Sequence, residues 1–125
     1  MSPEALAALD AFGRHLATER RLSPLTRAAY LQDLAALAAF CEPRAIEEWT
    51  ALDSQHVRTF AAQSHASGLA PRSVQRRLSA LRGFFAFLQR ERLAKANPAA
   101  DVRAPKASYA TSRYELFVSS LVSAS

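Results

Sequence analysis

Between residues 71 and 92, Val74, Leu78, Leu81, Phe85 and Leu88 recur at spacings of four, three, four and three. At 100° per residue these side chains fall within an arc of about 80°, bordered by Phe84, a pattern with the period of an α-helix and not of a strand. A helix this long, roughly six turns, must bury that stripe against other elements. Pro71 suits the first turn, whereas Ala70, at the cap position, has no side-chain acceptor. Arg72, Arg76, Ser79, Gly83 and Arg90 fall opposite the stripe, and Arg77 and Arg82 flank it from either edge. Gly83 is unfavourable by about 1 kcal/mol relative to alanine inside a helix. Local accommodation explains it most simply; close approach of a large partner is the functional alternative.

Three further helical patterns precede this one. Residues 3–20 begin with Ser2 as cap, Pro3 in the first turn and Glu4 at the positive end of the dipole, and repeat Leu6, Leu9, Phe12 and Leu16. Residues 24–41 start from Ser23-Pro24 and carry Tyr30, Leu34, Leu37 and Cys41 on one face until Pro43 ends the run. Residues 54–66 follow Asp53 as cap, turn Val57, Phe60 and Ala61 inward, and stop at Ser67-Gly68. Ile46, Trp49 and Leu52, in the connector between the second and third patterns, are expected to cover one end of the core. The expectation is an all-α domain of four main helices. Leu9, Phe12, Tyr30, Leu34, Leu37, Phe60, Val74, Leu78, Leu81 and Phe85 are expected among its buried residues.

Composition removes several function classes. Three glycines leave little material for Gly-rich phosphate loops, and one cysteine allows no intramolecular disulfide and no cysteine-clustered metal site. His15, His56 and His65 have no metal-ligand spacing. Glu47-Glu48 is a solvated acidic pair, and Ser23, Ser54 and Ser73 are better explained as helix starts than as nucleophiles. Cys41 lies on an apolar stripe and reads as an inert buried thiol. No cofactor, metal site or membrane span is expected. The acidic start MSPEALAALDAF is unlike a signal peptide, so a cytoplasmic location is expected.

The net charge of +5 is unevenly distributed. Residues 1–70 hold six arginines against eight acids, a net of −2; residues 71–106 hold seven arginines and two lysines against two acids, a net of +7; residues 107–125 net zero. Arginine as a plain solubilising residue accounts for this, and so does a polyanionic partner. Guanidinium groups grip phosphates bidentately and reach guanine edges, so an arginine face suits DNA better than a small anion. Ser23, Thr26 and Arg27, at the start of the second helix, offer hydroxyls and an amide-rich helix end for phosphate contacts.

Two stretches carry a more specific pattern. Leu22-Ser23-Pro24-Leu25-Thr26-Arg27-Ala28-Ala29-Tyr30-Leu31-Gln32-Asp33-Leu34 resembles the S-x-x-T-x-x-x-Y-x-x-D-L stretch of the amino-terminal, core-binding domain of tyrosine recombinases, the phage integrase-like family. The run Ser73–Leu88, followed by Asn97-Pro98-Ala99 and Pro105-Lys106, is similar to the later part of the same domain, and the ensemble is most similar to the bacterial chromosome-dimer recombinases. The resemblance covers roughly residues 1–106.

The resemblance implies an orthogonal, SAM-like bundle of four helices that clamps one face of a duplex recombination site. Its second and fourth helices approach the major groove. Ser23, Thr26, Arg27, Arg72, Arg76, Arg77 and Arg82 are then the expected DNA-binding residues, while Tyr30 and Leu34 serve the core. Related recombinase subunits in a tetramer are the implied partners, and DNA integration, recombination and chromosome dimer resolution the implied processes. The alternative is a helical protein-interaction module that binds no DNA. Residues 107–125 depart from the family pattern and do not read as the start of a catalytic domain. Tyr109 and Tyr114 lack the arginine and histidine companions of a nucleophilic tyrosine, so no enzyme activity is expected of the chain. Arg113–Val122 fits a short helix or a strand equally well.

Overall fold

The computed structural model describes residues 1–19 and 21–104. Four α-helices, α1 (Pro3–Ala17), α2 (Pro24–Cys41), α3 (Ser54–Ala66) and α4 (Pro71–Arg90), and two 3₁₀ turns, Glu42–Arg44 and Trp49–Ala51, make up the fold, with no strand among the described residues. The tail from residue 107, Tyr109 and Tyr114 included, lies outside them, as do Arg20, Pro105 and Lys106.

Helix α4 touches each of the other three helices. Its expected stripe is fully excluded from solvent, and Ala80, Phe84 and Phe87 are buried as well. The buried arc therefore covers about half the helix circumference, well beyond the stripe of large side chains alone. Val57, Phe60 and Ala61 of α3 and Leu34, Leu37, Phe40 and Cys41 of α2 close the core, with Trp49 meeting Phe84 edge-on. Leu9 and Tyr30 are only half-buried.

Caps and breakers fix the ends. Ser2 accepts from the Ala5 amide at 3.0 Å, Ser23 from the Thr26 amide at 3.1 Å, and Asp53 from the His56 amide at 2.9 Å. His56 returns the bond, accepting at Nδ1 from the Asp53 amide at 3.1 Å, and the Asp53 carboxyl is held below its ordinary pKa, chiefly by the His56 amide. Gly68 takes φ +103° beyond the end of α3, where a Cβ is disfavoured. Ala70 provides no side-chain cap to α4.

Besides the partial exposure of Leu9 and Tyr30 and the end of α4 at Arg90, two residues short of the expected 92, three details differ from the sequence-based expectation. Helix α1 ends at Ala17, three residues early, where the Thr18 hydroxyl donates to the His15 carbonyl at 2.7 Å. Its buried face is Ala5, Ala8, Phe12 and Leu16, leaving Leu6 46% exposed. The reason is Trp49, whose Nε1 donates to the Ala5 carbonyl at 2.8 Å. Small side chains at positions 5 and 8 let α1 approach this ring. The segment after α4, which Asn97-Pro98, Pro105 and the basic Lys95, Arg103 and Lys106 mark in the sequence as a broken, extended exit, is docked instead. Asn97 Nδ2 donates to the Arg82 carbonyl at 3.1 Å, its Oδ1 accepts from the Ala99 amide at 3.1 Å, and Ala99 and Val102 are buried.

Cys41 has no solvent exposure, and burial pushes its thiol from 9.0 up to about 11. The folded state thus holds this proton more tightly than the unfolded chain does. Its contribution to stability is complete below the ordinary thiol value and is lost as pH rises towards about 11. Urea unfolding is expected to show a steeper alkaline loss of stability for the wild type than for Cys41→Ala. Iodoacetamide should modify Cys41 only in denaturant.

Candidate nucleic-acid interface

The residues singled out for DNA contact lie at the start of α2 and along α4. At the α2 end, Ser23 Oγ accepts from the Thr26 amide and lies 3.0 Å from Thr26 Oγ1, while Arg27 Nη1 donates to the Leu22 carbonyl at 3.3 Å. The two hydroxyls and one guanidinium are thus organised around a helix end where Pro24 has no amide hydrogen and the Thr26 and Arg27 amides are bonded to Ser23, so that of the first four positions only the Leu25 amide has no partner among the described residues.

On α4 the four arginines divide into two kinds. Arg72 is exposed and Arg82 half-buried, and neither side chain has a hydrogen-bond or ion-pair partner among the described residues. Arg76 and Arg77 are instead engaged with Asp33 of α2. Arg76 Nε donates to Asp33 Oδ2 at 2.8 Å and its Nη2 to Oδ1 at 2.9 Å, a bidentate pair. Arg77 Nε donates to the same Oδ1 at 3.1 Å and its Nη1 to Ser64 Oγ of α3 at 3.0 Å; its guanidinium also lies over the Phe60 ring at 5.5 Å. Arg76, which the helical wheel sets opposite the stripe, therefore sits at the seam with α2, on the side of α4 where Ala80 is also buried.

Asp33 was not among the sequence-derived site residues. It has no solvent exposure and accepts three charge-assisted hydrogen bonds. Bonding to this carboxylate holds the Arg76 guanidinium above its ordinary pKa. The signal available in the sequence was an acid on the border of the Leu34–Leu37–Cys41 stripe, facing a helix with adjacent arginines. Among the described residues, no group of three His, Cys, Asp or Glu is placed to hold a metal ion, and no helix is long and apolar enough to cross a membrane.

The family model described as phage integrase, N-terminal SAM-like domain, matches residues 9–92, which include all four helices in whole or in part. The chain belongs to this family. Tyrosine recombinase XerC of Pseudomonas syringae pv. tomato is 44% identical to this SAM-like domain over 98 residues, covering 78% of the chain and 33% of the relative. The XerC of Azotobacter vinelandii is 44% identical over 100 residues, with 80% and 33% covered, and that of Pseudomonas putida 42% over 98, with 78% and 33%. The chain thus spans about a third of the length of the curated relatives it matches. No solved structure matches it. The all-α, SAM-like expectation and the resemblance to tyrosine recombinases hold.

The Asp33 cluster generates a stability prediction. Replacing Arg76 or Arg77 singly by Ala leaves the carboxylate one partner, whereas replacing both leaves a buried charge without compensation, a loss of about 3–5 kcal/mol. The double variant is expected to lose more than the sum of the singles in urea unfolding. Arg72→Ala, at an exposed unpaired position, should stay within about 0.5 kcal/mol of wild type.

Proposed function

We propose that this SAM-like domain binds duplex DNA as the non-catalytic clamp of a site-specific tyrosine recombinase acting in DNA integration and recombination, specifically in chromosome dimer resolution. The observation that carries this reading is the arginine face of α4, where Arg72 is exposed and free of protein partners in the segment that holds the chain's positive charge. Membership of the integrase family and similarity to XerC proteins support it. Residues 1–106 form the binding unit, with Lys95, Arg103 and Lys106 giving its exit a basic character. Ser23, Thr26 and Arg27 contact phosphates from the α2 end. Arg72, Arg76, Arg77 and Arg82 contribute from α4, with Arg77 the most committed to protein contacts. Related recombinase subunits assemble with it as a tetramer on the recombination site, in the cytoplasm.

Each phosphate neutralised on duplex DNA contributes about 0.9 to the slope of log affinity against log salt. Fluorescence anisotropy with a labelled duplex is expected to show salt-dependent binding by the wild type. Arg72→Ala should bind more weakly and lower the slope by about that amount with helicity unchanged. Salt-independent affinity, equal in both proteins, would reject the DNA face and favour a protein-interaction module.

The chain by itself is expected to leave DNA uncut. Cleavage by this family's chemistry needs a tyrosine surrounded by cationic and acid–base groups that stabilise a charged phosphorane, and Tyr109 and Tyr114 lack such companions in sequence. Incubation with a nicked suicide substrate should yield no covalent adduct on a denaturing gel. An adduct abolished by Tyr109→Phe or Tyr114→Phe would refute this.

A further inference from the structure

A planar guanidinium carries five N–H donors, and the way Asp33 holds Arg76 leaves a defined set of them free. The carboxylate takes Nε–H and one hydrogen of Nη2. Both hydrogens of Nη1 and the second hydrogen of Nη2, along the outer edge of the same plane, have no partner among the described residues, and the side chain is 35% exposed. Asp33 is itself held from the other side: Arg77 donates to its Oδ1 while anchored on Ser64, which is buried. The Arg76 plane therefore rests on a base that cannot rotate. Two arginines on one carboxylate also leave the cluster with one net positive charge, so it still attracts an anion. Arg72 lies one helical turn before Arg76, on the same side of α4, exposed and unpaired.

We propose that Asp33 is a positioning residue for duplex binding, bracing Arg76 so that its outer edge meets a backbone phosphate next to the one contacted by Arg72. This rests on the DNA-binding reading above. An arginine already held in one rotamer loses less conformational freedom on binding, and its donors reach a phosphate in a fixed fork. Asp33 thus favours DNA binding although it is an acid beneath a face that binds a polyanion.

The two effects of Asp33 have opposite signs, which makes the inference testable. By charge alone, Asp33→Asn adds one positive charge and tightens binding; by positioning, it releases Arg76 and weakens binding. Anisotropy titrations of the full chain against a labelled duplex at several salt concentrations would compare the wild type, Asp33→Asn, Arg76→Lys and Leu52→Ala. Leu52→Ala is a core truncation remote from α4's arginine face, and circular dichroism confirms helicity at the assay temperature. Asp33→Asn is expected to lose about tenfold or more in affinity, and its salt slope should fall by about 0.9, one phosphate contact.

Arg76→Lys keeps the charge but lacks the fork, and is expected to show the same loss; it serves as the deciding variant if Asp33→Asn does not fold. Leu52→Ala should bind like the wild type, which separates positioning from general destabilisation. Unchanged or tighter binding by Asp33→Asn, or wild-type affinity and slope in Arg76→Lys, would overturn the role of Asp33 and leave DNA binding intact. Absence of salt-dependent binding by the wild type would overturn both.

Discussion

A carboxylate with no access to water sits between α2 and α4, and its three hydrogen bonds come from two arginines, one of which continues to Ser64 on α3. Removing a charged group from water is unfavourable by several kcal/mol unless close partners offset it. Asp33 therefore admits only arrangements in which both α4 arginines reach it, which fixes the rotation of α4 about its axis and the register of α2 along it. Apolar packing is less demanding. Leu34, Leu37, Leu78 and Leu81 would tolerate small slides along the groove, whereas a bidentate pair at 2.8 and 2.9 Å would not. A hydrophobic replacement of the whole cluster would be comparably stable. The cluster's consequence lies in the geometry it imposes on the face beside it.

That face is organised by the same constraint. Arg76 and Arg77 are neighbours in sequence, 100° apart on the helix, yet both turn to one carboxylate because Asp33 occupies the angle between them beside Ala80. Arg72 and Arg82, a turn or more away, have no acid within reach and remain available. A uniform count of α4 arginines hides this division. One pair of guanidiniums is ordered by contacts within the protein, and the side chains of the other two have no hydrogen-bond or ion-pair partner among the described residues.

The helices were legible in the sequence because their signals are local. Ser2, Ser23, Asp53 and Gly68 each act within four residues of where they stand, and the α4 stripe survives intact into the core. What escaped was set by contacts between distant segments. Trp49 drew Ala5 to the core and left Leu6 outside, a choice made 44 positions away by a single indole bond. Asp33 read as one polar residue in a motif, since nothing in the α2 pattern shows which arginines will lie across from it. Arg76 falls on an open face of the wheel because the five-residue stripe alone marks the buried arc there, whereas Ala80 and Phe87 extend it. The asparagine-proline pair was visible as a break, but a break does not reveal that the chain beyond it returns to the core.

That return ties the chain's exit to its arginine face. Asn97 donates to the carbonyl of Arg82, in the middle of α4, and uses its other amide atom to close the turn that carries Ala99 inward; Val102 then enters the same core. The direction in which the described chain leaves the bundle is therefore referenced to the helix that presents the arginines. A change in the rotation of α4 would alter both together, and the bond from Asp33 to Arg76 restrains that rotation from the opposite side of the helix. The exit of the described chain and the arginine face of α4 thus share one frame of reference. The Asn97 bond and the two buried side chains after it, Ala99 and Val102, hold that frame through packed contacts.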